Sequence, residues 1–449
     1  MSESKKIGSK SISRRKFVQG AAAASAAIAL PTFIPASALG KEAGVAAPSN
    51  RLNLGFIGIG KQSSGHLNSF AGKSDIQVVG VCDVYKPRLE KARDSVVEKY
   101  KKLERTGTPE AFEDYRQLLA RKDIDAVVIG TPDHWHTAII VEAAKAKKDI
   151  YCEKPLTLTI GEAKLAVDAV TKHGVVFQTG SQQRSDGPFH RACEYIRSGR
   201  LGKIKEVHVG IGTTSKPCDL PTQDIPEGLN WDFWQGQSPD RGYNEVLCRK
   251  GLPNEYPFNP GWRDYREYSG GHVTDWGAHH FDITQWALGM DGSGPNEIIP
   301  PEKSDDVYNA SFIYAKTPVG DNIKVTHTKM ENGIRFFGEL GELFVNRGKI
   351  ESKPDTILKE PLTDKDVKLE KTSGHRENWL ECIKSRKLPI CNVAIGAGSV
   401  TICHLVNLAY WHNRKLKWDP TKWEFPDDAE ANGWRDRARR EKYDLPAIG

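Results

Sequence analysis

Arg51-Leu-Asn-Leu-Gly-Phe-Ile57 runs into Gly58-Ile59-Gly60, and Ile76-Gln-Val-Val-Gly-Val-Cys82 runs into Asp83. Both runs are apolar and have the length of buried strands. A helical stretch from about Ser64 to Gly72 lies between them. Strand, glycine turn, helix, strand and acid is the order of a dinucleotide-binding unit. Gly58 permits the tight turn. Gly60 lets the backbone approach a pyrophosphate at the start of the helix, where amide groups point outward, with Lys61 and Gln62 on the cofactor side. Asp83 is placed to accept hydrogen bonds from an adenosine ribose, and its charge repels a 2′-phosphate. The third glycine of the fingerprint is missing, and Ser63 stands in its place. A lone Gly-x-Gly is weak evidence; two flanking strands and the acid favour a nucleotide site over a merely structural turn.

Outward from this unit the alternation continues. Lys86 to Lys102 is a helix. Asp125-Ala-Val-Val-Ile-Gly130 is a strand that ends in Thr131-Pro132-Asp133-His134-Trp135-His136. A helix from about Thr137 to Lys147 leads to the strand Asp149-Ile-Tyr-Cys152, closed by Glu153-Lys154-Pro155. A further helix and the strand Val175 to Thr179 complete residues 51–179. Strands separated by helices imply a parallel, doubly wound sheet, whose ligands bind beyond the carboxyl ends of its strands. Gly58, Asp83, Thr131 and Lys154 all lie at such ends and are expected to line one crevice.

The texture changes in residues 180–415. Ile204 to Thr213 alternates like an open strand. Residues 218–270 are loop-rich and aromatic, with Trp231, Trp234, Tyr243, Tyr256, Phe258, Trp262 and Tyr265. The segments Val307 to Tyr314, Ile323 to Lys329, Gly333 to Glu339 and Glu342 to Asn346 read as antiparallel strands. The fold class is therefore α/β: an N-terminal doubly wound parallel sheet, then a second α/β domain with a large open, mostly antiparallel sheet. Residues 416–449 form a polar, aromatic tail expected to pack over the domains.

Between the aromatic loops and these strands lies Ser269-Gly-Gly-His-Val-Thr-Asp-Trp-Gly-Ala-His-His-Phe-Asp282. Asp275 and His279 are four apart, on one face of a helix. Imidazole supplies a near-neutral pKa, and a carboxylate can hold the ring and stabilise its charged form, which is the make-up of a general base. The competing reading is an ordinary amphipathic helix with a satisfied histidine.

The N-terminus reads as an export signal. Lys5, Lys6 and Lys10 precede Ser13-Arg14-Arg15-Lys16-Phe17, an apolar stretch from Ala21 to Leu30 follows, and Ala36-Ser37-Ala38 is a small-x-small cleavage site. The paired arginines resemble the twin-arginine signal of folded export, so residues 1–38 are set aside, residues 39–50 are a linker, and the mature chain is expected in the periplasm without a membrane anchor. Residues 1–38 hold six of the 64 basic residues and one of the 58 acidic ones, so the net charge falls from +6 to about +1 without them. No clustered basic face for nucleic acid remains; the run Arg435 to Arg440 reads as a solvated helical face. None of the eight cysteines forms a Cys-x-x-Cys pair, which argues against a thiolate zinc site. Cys218 and Cys248 lie in loop-like sequence where export would permit oxidation.

The glycine turn, Glu153-Lys154-Pro155 at a strand end and Asp275-x-x-x-His279 after Gly270-Gly271 together resemble the glucose–fructose oxidoreductase / inositol dehydrogenase family (Gfo/Idh/MocA), over roughly residues 50 to 415. The resemblance implies a Rossmann domain, NAD as cofactor, a carbohydrate or cyclitol substrate, no metal, and a homo-oligomer formed through the open sheet. It implies that Lys154 contacts the substrate hydroxyl and nicotinamide edge beside Glu153, that His279 accepts the proton, and that Asp275 is its carboxylate partner. Thr131 and Pro132 fall beside the nicotinamide ribose with His136 nearby. Gln182 and Arg184 fall on the substrate side, and His280 and Asp282 either contact sugar hydroxyls or pack the helix. Trp231, Trp234, Trp262 and Trp276 are candidates for sugar stacking. Lys86 leaves NADP open. Folded export implies a cofactor loaded inside the cell and carried out tightly bound. The leading reading is an NAD-dependent oxidoreductase of a sugar, glycoside or cyclitol hydroxyl; the alternatives are an NAD-dependent glycosidase working by oxidation and elimination, and a non-catalytic sugar sensor.

Overall fold

The computed structural model describes residues 51–255 and 261–449; the export signal, the linker, Tyr256 and Phe258 lie outside the described residues. Six strands, β1 (Leu52–Ile57), β2 (Ile76–Cys82), β3 (Glu110–Phe112), β4 (Ala126–Ile129), β5 (Asp149–Cys152) and β6 (Phe177–Thr179), form one sheet in the order β3-β2-β1-β4-β5-β6. Every pairing in it is parallel. The strands β4 and β5 are buried throughout, as expected of a sheet covered on both faces. The covering helices are α1 (Lys61–Ala71), α2 (Lys86–Lys102), α3 (Asp133–Lys145) and α4 (Ile160–His173). The order reverses between β1 and β4, so a crevice opens outside their carboxyl ends.

The glycine turn is fixed by sterics. Gly58 has φ +78°, and a Cβ there would meet the Thr131 backbone nitrogen at 2.7 Å. Ser63 replaces the expected third glycine, whose role is close helix–strand packing. That role falls to Gly130 at the end of β4, where a Cβ would lie 2.6 Å from the Ser63 Cβ.

The second sheet has eight strands: β7 (Ile204–Gly210), β8 (Glu297–Ile299), β9 (Ser311–Thr317), β10 (Gly320–Thr328), β11 (Gly333–Gly338), β12 (Glu342–Asn346), β13 (Lys349–Lys353) and β14 (Leu416–Lys417). Their order is β13-β12-β11-β7-β10-β9-β8-β14. Only β7 and β10 pair in parallel. One face is covered by α5 (Gly187–Arg197), a helix at Gly277–Ala287 and the long helix at Val393–His412, through Phe189, Phe281, Phe312 and Val406. Val393–His412 is apolar and long enough to cross a membrane, yet most of it is buried in this core. The strands β8, β13 and β14 are too short or too polar to stand out in sequence.

The chain beyond Leu416 leaves the second sheet and ends against the first. The Tyr443 ring stacks on Phe233 (5.8 Å between centroids) and meets Trp135 edge-on. The basic run Arg435 to Arg440 is not a solvated helix. Arg439 donates to the fully buried Glu162 of α4 at 2.9 Å. Arg440 pairs with Asp232 at 2.6 Å and donates to the Gly236 carbonyl. A carboxylate buried in α4 needs a cation, and the tail carries it. All eight cysteines are free thiols, and seven of them are buried.

Candidate active site

A crevice of about 380 Å³ runs along the carboxyl ends of the parallel strands. At one end, Gly60 caps α1 with no side chain of its own, and nothing lies within 4 Å of where its Cβ would be. The carboxylate of Asp83 accepts the Ile59 and Tyr85 amides at 2.7 and 2.9 Å, so it fastens the glycine turn to the end of β2 while still lining the crevice. Burial raises its pKa against the opposing pull of Arg88 and those two amides. Leu247, Cys248 and Arg249 of the aromatic segment close over this end. Arg88 ties that segment down by donating to the Arg249 and Gly251 carbonyls.

At the other end stands Lys154, directly after β5. Its Nζ donates to Asp275 Oδ1 at 2.6 Å and to the Asp275 carbonyl at 3.1 Å. Arg263 Nε donates to the same Oδ1 at 3.0 Å. Burial alone would raise the Asp275 pKa, but Lys154 and Arg263 outweigh it and hold the carboxyl well below the usual range. Neighbouring Glu153 accepts from His66 at 2.6 Å, and Arg376 donates to the other nitrogen of that ring at 2.9 Å. Gln182 also donates to Glu153, at 3.2 Å. Burial would raise the Glu153 pKa, but His66, with the Lys154 charge and a hydrogen bond from Gln62, holds it below the ordinary value.

Asp275 and His279 do not share one uninterrupted helix. The helix α6 (His272–Asp275) ends at Trp276, and α7 (Gly277–Ala287) begins after it. The His279 ring is 2% exposed and lines the crevice. Burial, reinforced by Lys154 and Arg347, pushes its pKa well below the ordinary value, so the imidazole is neutral. Its Nδ1 has no hydrogen-bond partner among the described residues. The expected ring-holding role of Asp275 is therefore replaced: two cations compete for that carboxylate and win it.

Of the residues singled out in the sequence, Gly58, Gly60, Lys61, Gln62, Asp83, Thr131, Pro132, Glu153, Lys154, Gln182, Trp262, Asp275 and His279 line the crevice. Four others do not: His136, Arg184, His280 and Asp282. His136 is buried with its ring nitrogens 2.9 and 3.0 Å from the Pro155 and Thr131 carbonyls, so it braces the two strand-end loops from behind. Arg184 is 1% exposed and paired with Asp282 and Asp291, which makes it a core ion cluster rather than a substrate contact. His280 is fully buried and hydrogen-bonded to the Asn332 side chain at 2.8 Å. Among the tryptophans, Trp234, Trp262 and Trp276 reach the crevice, whereas Trp231 stacks on Trp234 at 4.8 Å in an aromatic core.

Among the lining residues not singled out as site residues are Asp133, Arg263 and Arg347. Asp133, in the first turn of α3, accepts from Ser269 at 2.7 Å, and burial pushes its pKa up to about 6. Arg263 and Arg347 come from a single 3-10 turn (Gly261–Asp264) and a hairpin tip, where nothing in the local pattern marks them. Asp133 did carry a signal, as an acid directly after a strand-end Thr-Pro.

Residues 52–181 match the family model described as oxidoreductase family, NAD-binding Rossmann fold, and residues 212–445 match its C-terminal alpha/beta domain. The uncharacterized oxidoreductase YrbE of Bacillus subtilis is 33% identical over 148 residues, covering 33% of this chain and 40% of its own. The myo-inositol 2-dehydrogenase of Thermotoga maritima is 27% identical over 174 residues, 39% of this chain and 48% of its own. A glycosyl hydrolase family 109 protein of Shewanella baltica is 30% identical over 172 residues, 36% of this chain and 37% of its own. The chain thus spans about half the length of these curated relatives, or less. Among solved structures, the WlbA dehydrogenase of Bordetella pertussis, in complex with NADH and UDP-GlcNAcA, superposes with a TM-score of 0.55 at 18% identity, covering 82% of this chain and 98% of that one. The scyllo-inositol dehydrogenase of Lactobacillus casei, with NAD(H) and scyllo-inositol, gives 0.53 at 16% identity, covering 82% and 99%. At such identities the likeness is one of fold.

Proposed function

Because the chain belongs to the Gfo/Idh/MocA oxidoreductase family, we propose that it is an NAD-dependent dehydrogenase of a secondary hydroxyl on a sugar, glycoside or cyclitol, with C3 of a glucoside as the candidate carbon. The observation that carries this reading is the Lys154–Asp275 pair at 2.6 Å, set in the crevice with the glycine turn on one side and the neutral His279 on the other. The residues present fit a dinucleotide: the start of α1 has no side-chain cap, and the hydroxyl of the lining residue Thr131 is buried without a partner among the described residues. The charge of Asp83 favours NAD over NADP.

When bound, NAD supplies the hydride acceptor for oxidation or the donor for reduction. The chain's own residues do the rest. The Lys154 ammonium, fixed by Asp275, donates to the substrate oxygen and stabilises the negative charge that grows there. His279, already neutral, takes the hydroxyl proton. Asp275 positions Lys154 and Arg263, and Trp262 and Trp276 offer flat apolar walls to a sugar ring.

The test is nicotinamide released from the purified protein on denaturation, and a change in reduced-nicotinamide absorbance when glucosides or inositols are added. A protein that holds no nucleotide and turns over none with added NAD sinks the reading. A second reading, a glycosidase that oxidises transiently, eliminates the aglycone, adds water and reduces again, is favoured by the relatives named as family 109 glycosyl hydrolases. Product analysis separates them: a keto-sugar or a cleaved sugar. The paired Lys154 and Asp275 speak against a sensor without chemistry. Export completes the proposal: the twin-arginine signal takes the folded chain to the periplasm with its cofactor tightly bound, and replacing Arg14 and Arg15 by lysine should leave it in the cytoplasm. The uncovered face of the second sheet is the surface through which copies would associate.

A further inference from the structure

Hydride and proton transfer leave two arginines of the crevice without a task. Arg263 lies over the Trp262 ring, 4.6 Å from its centroid, and Arg347 lies over the Trp276 ring at 4.7 Å. All four residues line the crevice with Lys154 and His279. A guanidinium stacked on an indole is held in plane while its N–H edge stays free for a planar, two-pronged acceptor. Arg263 uses Nε on Asp275. Arg347 uses Nε on the Gln183 amide oxygen at 3.3 Å, with that amide oriented to suit its neighbours.

Three of the carboxylates nearby are already engaged, and the fourth, Asp186, has an oxygen buried without a hydrogen-bond partner but forms no ion pair with Arg347. Asp275 is held by Lys154 and Arg263, Glu153 by His66, and Asp133 accepts from Ser269. Among the described residues, Arg347 forms no ion pair. Its partial burial disfavours the charged form, and Asp186, Asp275 and Glu153 offset this only from a distance. A partly desolvated cation without a counter-ion is unfavourable, and an anionic ligand relieves it. The position is also unusual in origin: Arg347 sits at the tip of the β12–β13 hairpin, so the open sheet delivers this charge to the crevice rim.

We infer that the substrate is an acidic sugar, one whose carboxylate, sulfate or phosphate group is gripped by Arg347 together with Arg263 while its hydroxyl faces Lys154 and His279. The inference rests on the dehydrogenase reading for the hydroxyl but not for the anion. The anionic group takes no part in the redox step and serves as a handle that sets the ring's orientation. A planar carboxylate matches the guanidinium fork; sulfate and phosphate share the same contacts.

The test is calorimetric titration of the NAD-saturated protein with glucuronate, glucose 6-sulfate, glucose 6-phosphate and glucose. At least one acidic sugar should bind about tenfold or more tightly than glucose. The advantage should shrink with added salt. Arg347→Gln should bring that sugar down to the level of glucose, and Arg347→Lys, which keeps the charge and loses the fork, should restore only part of it. Acidic sugars that bind wild type no better than glucose, or an advantage that survives in Arg347→Gln, overturn the inference. Failure of the dehydrogenase reading looks different: discrimination in binding with no nicotinamide reduced by any sugar.

Discussion

Burial together with Lys154 and Arg347 places the His279 pKa well below its ordinary value of 6.5. A base must be neutral to accept a proton, and a depressed pKa keeps it neutral as the pH falls through 6.5. The acid-side decline of kcat/KM for oxidation should therefore lie below pH 6.5, and a decline centred at or above it would contradict the assignment. Replacing the ring, as in His279→Gln, should lower kcat by about 10²–10⁴-fold with nicotinamide still bound, the ordinary worth of a general base. At this scale the sequence conveys residue type but not direction. Lys154 is legible because it follows a strand whose end must face the crevice. His136, Arg184 and His280 are equally polar, yet they turn into the protein, onto loop carbonyls, an ion cluster and an asparagine. Which way a helix-borne side chain turns depends on what packs over it, and that information is tertiary.

The C-terminal segment acts as an element although most of it is irregular. Its Arg439 answers Glu162, whose other oxygen accepts the Leu158 amide at 2.9 Å. Removing Arg439 takes the nearer of two cations from a carboxylate buried at 0% exposure and leaves only Arg437, 4.0 Å away. With Arg437 still in place, Arg439→Ala should destabilise the protein by up to about 3 kcal/mol, read as a lower midpoint in urea unfolding. The double variant Arg439→Ala, Glu162→Gln should recover part of the loss, because the under-compensated buried charge goes as well. No charge count could have shown this: a run of four arginines in six residues looks solvated until its partner, far away in sequence, is found beneath it. The interruption at Trp276 is hidden for a similar reason. Gly277 beside it is a weak helix former, but a single glycine does not announce a break, and the surrounding packing decides the turn between α6 and α7.

At the scale of the whole molecule, the architecture was the most legible part. Apolar runs ending in Gly58, Asp83, Gly130 and Lys154 determine a parallel sheet and its crevice almost by themselves, whereas β13, with its exposed lysines and glutamate, carries too weak a pattern to be read. The molecule also buries histidines that take no part in the proposed chemistry. Burial lowers His280, His327, His375 and His404 each to about 4 and His134 to about 3. Each takes up a proton on unfolding at pH values between its folded pKa and the unfolded 6.5, so the unfolded state binds more protons and stability falls as the pH drops through that window. Each contributes a slope of about 1.4 kcal/mol per pH unit at most. The thermal midpoint should drop by several degrees between about pH 7.5 and pH 5; an unchanged midpoint would show that these rings are not neutral in the fold. A last consequence follows from the tail, which pairs with the second sheet at Leu416 and, through Tyr443, packs on Trp135 of the helix α3 that covers the first. It ties the second sheet to the helices α3 and α4 over the first, and such a tie should restrain any swing of one part against the other. Traffic into the crevice then depends on local give in the segment that Arg88 pins, and spin labels placed on opposite walls should report one narrow separation whether or not nucleotide is present.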